Sequence, residues 1–285
     1  GAAEGTIDAI GVHFVGGGAG SAGSAVTGIA GITPQDHWNN VADNGTASTG
    51  GAETGSQQDL LDDQGIVTTA DVSWAANNTF RINPSVPADN NAELMKGYLD
   101  TSTTSTTTVT IDEIPYSSYD AYVYIDGDVG NGSRSGLYTA DDGHQIQTAG
   151  PVVDDANWPI TAGGGTFVEA VNPGDAGNYI VFRGLSGSSL SIDATPNVFR
   201  APVNAVQLVG YAPRLVVDTL GDTDDLDPTN GMTLREAVNL ANRVIGHQEI
   251  TFDPSLDRQT IVLAGSEIPI NDDLTITGRG AQNTG

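Results

Sequence analysis

The chain is 285 residues long and sets 36 Asp and Glu against 10 Lys and Arg, a formal net charge of −26 at pH 7. A field of that sign repels phosphate backbones and anionic lipid, which argues against nucleic acid and acidic membrane surfaces as partners. Cysteine is absent, so there is no disulfide framework, though a chain of this length buries a core without one. No apolar run approaches the ~20 residues of a membrane helix.

Of the acids 28 are Asp and eight are Glu, beside 37 Gly. Asp is a poor helix former, a good turn former and a calcium ligand, so the composition points to a turn-rich β protein. Lysine occurs once, at Lys96, a skew suited to solubility in saline surroundings. The chain opens Gly1-Ala2-Ala3, without an initiator Met or a leader, and closes on residues 278–285 as if cut. It reads as a processed or excised piece of an extracellular or cell-surface protein.

In chain order the first strand is Ile10-Gly11-Val12-His13-Phe14-Val15, ending at Gly16-Gly17-Gly18. Short apolar segments then alternate with polar, Gly-rich ones, among them Val72-Ser73-Trp74 and Val109-Thr110-Ile111. The Thr/Ser run 101–108 suits a linker or an edge strand equally. Residues 119–125, Tyr-Asp-Ala-Tyr-Val-Tyr-Ile, alternate with period two, the pattern of a half-buried strand. Further strands are expected at 178–182, 190–194 and 204–209. Short strands, frequent turn signals and no long helical pattern predict an antiparallel β-sandwich.

The character changes near Tyr211-Ala212-Pro213, which places a boundary at about residues 210 to 214 and two domains at 1–210 and 214–285. Beyond it come a strand at Leu215-Val216-Val217, an acidic turn and the best helix of the chain, 233–242. Thr233 with Glu236 three positions on makes a capping box, and Leu234, Val238 and Ala241 form one apolar stripe. Strands follow at 250–252, 260–263 and 274–278.

This second part resembles the CSLREA segment that opens right-handed parallel β-helices of bacterial surface proteins. The resemblance is carried by Leu215-Val216-Val217-Asp218-Thr219, Met232-Thr233-Leu234-Arg235-Glu236-Ala237 and Leu274-Thr275-Ile276-Thr277-Gly278, with Met232 and Thr233 where the family has Cys and Ser. It implies a helix-capped start of a β-helix, the helix covering strand edges of the first coil. The first part is similar to jelly-roll, galactose-binding-like modules of secreted proteins. That similarity rests on residues 10–15, 119–126 and 201–209, and implies carbohydrate binding. First and last strands of like character are expected to pair antiparallel.

Sugar recognition needs an aromatic ring for the C–H face and fixed polar partners for hydroxyls. Trp38, beside His37, Asn39 and Asn40, fits that need; the alternative is an aromatic plug closing the sandwich end. Trp158, after Asp154, Asp155 and Asn157, poses the same choice. Trp74 reads as core, and Tyr98, Arg134 and Arg200 are weaker ligand candidates. Asp126 and Asp128, in a Gly-rich turn after a strand, suit a structural calcium ion or a solvated hairpin. Asp222, Asp224 and Asp225 raise the same two alternatives, and the spacing to Gly231 and Glu236 excludes an EF-hand.

Catalytic signals are poor. The chain lacks a Cys nucleophile and a Gly-x-Ser-x-Gly elbow, and His13, His37, His144 and His247 do not have the spacing of a zinc protease. The expected function is therefore a non-catalytic glycan-binding or adhesion region, calcium-stabilised. Two alternatives stand beside it: a self-associating subunit of a surface layer or fibre, and an accessory domain of a polysaccharide lyase or hydrolase with its active site beyond residue 285.

Overall fold

The computed structural model describes residues 7–18, 21–22, 24–43, 53–82, 89–128, 134–154, 165–211, 215–224, 231–242, 248–271 and 273–279. The described residues are mostly β, in several sheets, and form no closed barrel among themselves. The chain divides into two compact units at the Tyr211–Ala212 bond. No helix among the described residues is long and apolar enough to cross a membrane.

The first unit runs β1 (Ile7–Gly18), β2 (Ser21–Ala22), β3 (Asn39–Asp43), β4 (Glu53–Gln57), β5 (Asp71–Ala76), β6 (Asn78–Arg81), helix α1 (Asn90–Leu94) and β7 (Gly97–Asp100). It continues with β8 (Thr107–Asp112), β9 (Tyr119–Tyr124), β10 (Ser135–Asp141), β11 (Ile146–Asp154), β12 (Ala176–Gly177), β13 (Tyr179–Leu185), β14 (Leu190–Val198) and β15 (Ala205–Tyr211). One sheet has the order β13-β9-β15-β1-β2, with β3 parallel on β1; the other is β12-β11-β10-β14-β8-β5-β4. The first and last strands pair antiparallel as expected, from Ile7 opposite Tyr211 to His13 opposite Ala205.

Period-two alternation explains how the two sheets share one core. Ile10, Val12 and Phe14 of β1 and Ala121 and Val123 of β9 point inward, and they join Val72 of β5, Val109 and Ile111 of β8 and Ile192 of β14 in a single buried cluster. Trp74 packs on this cluster, its ring edge-on to Phe14 at 6.0 Å. The Thr/Ser run resolves into a turn at 102–105, where the Ser102 hydroxyl accepts from Ser105 N, followed by β8, an interior strand of the second sheet. Gly16, at φ +67, lets β1 pass against the β6–β7 hairpin, because a Cβ there would strike the carbonyl of Phe80.

β9 departs from expectation. It is buried on both faces except at Tyr122, because residues 24–38 and α1 lie over the outward side of its sheet. Val26, Trp38, Leu94 and Met95 pack there against Tyr124 and Ala205, a second core outside the first.

The second unit holds β16 (Val216–Val217), α2 (Leu234–Ala241), β17 (Gln248–Phe252) and β18 (Leu274–Ile276), the strands parallel in the order β16-β17-β18. The capping box forms: Glu236 N donates to Thr233 Oγ1 at 3.1 Å, and Thr233 N to Glu236 Oε2 at 2.8 Å. Val238 and Ala241 are buried with Ala237, Leu240 and Ile250, and Leu234 packs at the margin. The strand expected at 260–263 does not form. Val262 and Leu263 are 68% and 45% exposed, and no described strand pairs with them, so neither a ladder nor a buried face fixes the extended backbone.

Candidate functional site

The outward face of the first sheet concentrates the chemistry. Since Ala121, Val123, Ile180 and Phe182 fill the core, alternation turns Asp120, Tyr122 and Tyr124 of β9, and Tyr179, Val181 and Arg183 of β13, the other way. Tyr122 and Tyr179 are half-buried, their rings 6.3 Å apart with planes 28° from parallel. Half-buried Phe167 meets Tyr179 edge-on at 6.3 Å and Tyr124 at 5.5 Å, and Trp38 meets Tyr124 at 6.2 Å. The result is one aromatic row leading from a buried indole to accessible phenols.

Charge lies beside the row. Arg183 Nη2 contacts Glu169 Oε1 at 2.8 Å, with the Arg183 side chain 57% exposed and that of Glu169 22%. The bond to Glu169 holds the Arg183 guanidinium above its ordinary range. Burial pushes the Tyr122 and Tyr179 hydroxyls up, reinforced by Asp120 for the first and Glu169 for the second, so both remain donors at neutral pH.

The support is rigid. Glu169 lies opposite Tyr179 in a β-bridge, and Ala170 N donates to Tyr179 O at 2.9 Å. Asn178 fastens the same segment, accepting from Val168 N at 2.9 Å and donating to Thr166 O at 2.9 Å. A register shift between Phe182 and Leu185 lets Gly184 N reach Asp120 Oδ1 at 2.8 Å. Beneath the row, Tyr124 OH donates to Gln207 Oε1 at 2.8 Å and accepts from Ile32 N at 2.8 Å. Gln207 Nε2 in turn donates to Thr33 O at 2.7 Å and Gln35 Oε1 at 3.0 Å.

The residues singled out from sequence fall elsewhere. Trp38 is 5% exposed and offers no ring face to solvent; its Nε1 donates to Gln35 O at 3.1 Å, and it packs in the second core with Tyr124 and Ala205, not at an end of the sandwich core. Asn39 is a buried staple, donating to Gly11 O at 3.0 Å and Leu61 O at 2.8 Å. His37 is exposed at φ +53, its Nδ1 3.2 Å from Asp63 O. Trp158 and Asp225 lie outside the described residues.

Asp126 follows the end of β9, and Asp128 and Arg134 both act on Tyr98. Asp126 is fully buried, and Asp128 N donates to Tyr98 OH at 3.1 Å. Arg134 and Arg200 both act on Asp100, which Arg200 Nη1 contacts at 2.8 Å. Asp222 is taken up by Arg235, and Asp224 Oδ2 accepts from Asn239 Nδ2 at 2.9 Å. Among the described residues no group of three or more His, Asp or Glu is arranged to hold a metal ion.

The tyrosine pair was legible in part. Alternation over residues 119–125 already puts Tyr122 on the face opposite Ala121 and Val123. The Arg183–Glu169 contact has no local signature, since the two meet only when the 165–171 segment folds onto β13.

No family model matches the chain, and no curated protein matches it. Among solved structures, one similar to part of it is described as TmCBM61 in complex with β-1,4-galactotriose. That similarity is 10% in sequence identity with a TM-score of 0.23, over 47% of this chain and 77% of the other.

Proposed function

We propose that residues 7–211 bind a carbohydrate on the outward face of β9 and β13. The observation that carries this is the half-buried Tyr122–Tyr179 pair set beside the exposed Arg183–Glu169 contact. A pyranose offers apolar C–H faces and a rim of hydroxyls. Aromatic rings match the first, and phenol, carboxylate and guanidinium groups match the second as donors and acceptors. The rigid underlay of Tyr124 and Gln207 supports binding, because little order is lost when a ligand settles on a preformed surface.

In this proposal the two-sheet unit is a jelly-roll module of an extracellular bacterial protein. The parallel β16–β18 strands with α2 are the helix-capped start of a right-handed β-helix in the same adhesive region. The support is the parallel strand order and the apolar helix face buried with Ile250.

The test is a panel of immobilised polysaccharides probed with the wild-type chain and with Tyr122→Ala, Tyr179→Ala and the double variant. Ring contacts of this kind contribute about 0.5–1.5 kcal/mol each, so each single change should weaken binding by about two- to tenfold and the double more. Undiminished binding by a folded double variant would move the site elsewhere.

A further inference from the structure

We infer that the ligand of this face is an uncharged glycan, and that Glu169 is the residue that enforces the choice by holding Arg183. The inference rests on the carbohydrate-binding proposal above and adds the class of polymer and the determinant of selectivity.

Three charged groups act on the two tyrosines: Asp120, Glu169 and Arg183. Two are carboxylates and one is a guanidinium, so the face is net negative within a chain of net charge −26. The charge of the cation is already matched, because Glu169 Oε1 sits 2.8 Å from Arg183 Nη2, while the rest of the half-exposed guanidinium keeps donors for a ligand oxygen. Asp120 is similarly engaged, accepting from Gly184 N.

A polymer bearing carboxylates or sulfates would first approach against the field of the whole molecule. At the face it would then have to share Arg183 with Glu169 and sit beside that carboxylate and Asp120, or displace Glu169 altogether. Like charges placed together are a means of rejecting a wrong ligand. A hydroxyl meets neither obstacle. It both donates and accepts, so it can donate to Glu169 and accept from Arg183 or a tyrosine hydroxyl without parting the ion pair.

Glu169→Gln tests the role of the carboxylate. The amide keeps the shape and a hydrogen-bonding oxygen, removes one negative charge, and leaves Arg183 able to receive an anion.

The experiment compares one neutral polymer that binds, hydroxyethylated, with the same polymer carboxymethylated to the same degree, so that bulk is matched and charge is not. Wild type should prefer the neutral form by about tenfold or more at low salt, and the gap should narrow as NaCl screens it. Glu169→Gln should cut the ratio of neutral to carboxymethylated binding by about fivefold or more, whatever the change in the strength of neutral binding itself. Equal binding of both forms by wild type, or an unchanged ratio in a Glu169→Gln variant with an unaltered melting transition, would overturn the inference. If Glu169→Gln fails to fold, the wild-type ratio and its salt dependence decide alone. Equal binding that still depends on Tyr122 and Tyr179 leaves the binding face standing and removes only its selectivity. Binding that ignores both tyrosines, or no binding to any polymer, removes the face itself.

Discussion

Asn204 holds Asp126 on both sides of its backbone: Asp126 N donates to Asn204 Oδ1 at 2.6 Å, and Asn204 Nδ2 donates to Asp126 O at 2.8 Å. The same amide group also reaches Met95 O and Gly97 O, each at 3.0 Å, and the side chain is fully buried. One side chain thus closes the end of β9, the start of β15 and the turn from α1 into β7. Asn204→Ala leaves one buried donor and three buried acceptors with a lost partner, and each costs about 1–3 kcal/mol. Urea unfolding should show a loss of about 3 kcal/mol or more. A loss under about 1 kcal/mol would mean that water or a shifted backbone replaces the amide.

The single lysine of the chain is spent inside. Lys96 Nζ lies 2.6 Å from Glu93 Oε1, and Arg81 Nη2 lies 2.8 Å from Glu93 Oε2, all three side chains being buried. Breaking a buried pair by removing one partner costs about 3–5 kcal/mol, because the other charge stays uncompensated. Glu93→Gln takes the buried carboxylate charge from both cations, whereas Lys96→Met leaves Glu93 with Arg81. The first should therefore destabilise by about 3–5 kcal/mol and the second by clearly less. Equal losses in chemical denaturation would contradict this asymmetry.

What the sequence disclosed divides along physical lines. Features set by neighbours a few residues apart were legible: the Thr233–Glu236 capping box, the alternation of β9 and the apolar stripe of α2 all follow from local geometry. Features needing a distant partner were not. Residues 260–263 have strand composition but no ladder, and the Arg183–Glu169 pair depends on a loop folding back. Trp38 misled for a related reason. Its polar neighbours suggested an exposed loop, yet Asn39 and Asn40 spend their amides on buried backbone carbonyls, Asn40 donating to Val26 O at 3.0 Å. Polar residues within five positions of an aromatic do not report its exposure when they serve as internal staples.

Two buried groups give the stability of the first unit opposing pH dependences. Burial, opposed by the bond that His13 Nδ1 donates to Asn40 Oδ1 and by Glu93 and aided by Arg81, pushes His13 down from 6.5 to about 4. Between those values the unfolded chain binds a proton that the folded chain does not, so stability is full above 6.5 and is lost as pH falls towards 4. Asp100 runs the other way. Burial, against the pull of Arg200 and Arg134, pushes it up from 3.8 to about 6. The folded chain then keeps a proton that the unfolded chain releases, so this contribution is full below 3.8 and is lost as pH rises through 6. Removing one exposes the other. Relative to wild type, His13→Gln should gain on the order of 2–3 kcal/mol between pH 7.5 and 4.5, and Asp100→Asn should shift in the opposite sense. Urea midpoints at the two pH values check both, and parallel profiles for wild type and His13→Gln would exclude a neutral buried imidazole.

In the second unit one ion pair fixes the start of α2. Arg235 Nε and Nη2 reach Asp222 Oδ1 and Oδ2 at 2.9 and 3.1 Å, Ala264 N donates to Asp222 Oδ2 at 2.8 Å, and Arg235 Nη2 donates to Ser266 O at 2.8 Å. The guanidinium holds the Asp222 carboxyl below its ordinary range, so its contribution is present above the usual carboxylate value and fades only under stronger acid. A forked contact needs two parallel donors, which lysine lacks. Hydrogen exchange read by mass spectrometry separates the two units. Asp222→Ala should speed exchange in peptides covering α2 and β17 and leave those covering β9 unchanged, with Arg235→Lys intermediate between wild type and Asp222→Ala. Arg235→Lys exchanging like wild type would show that charge alone, and not the paired geometry, seats the helix.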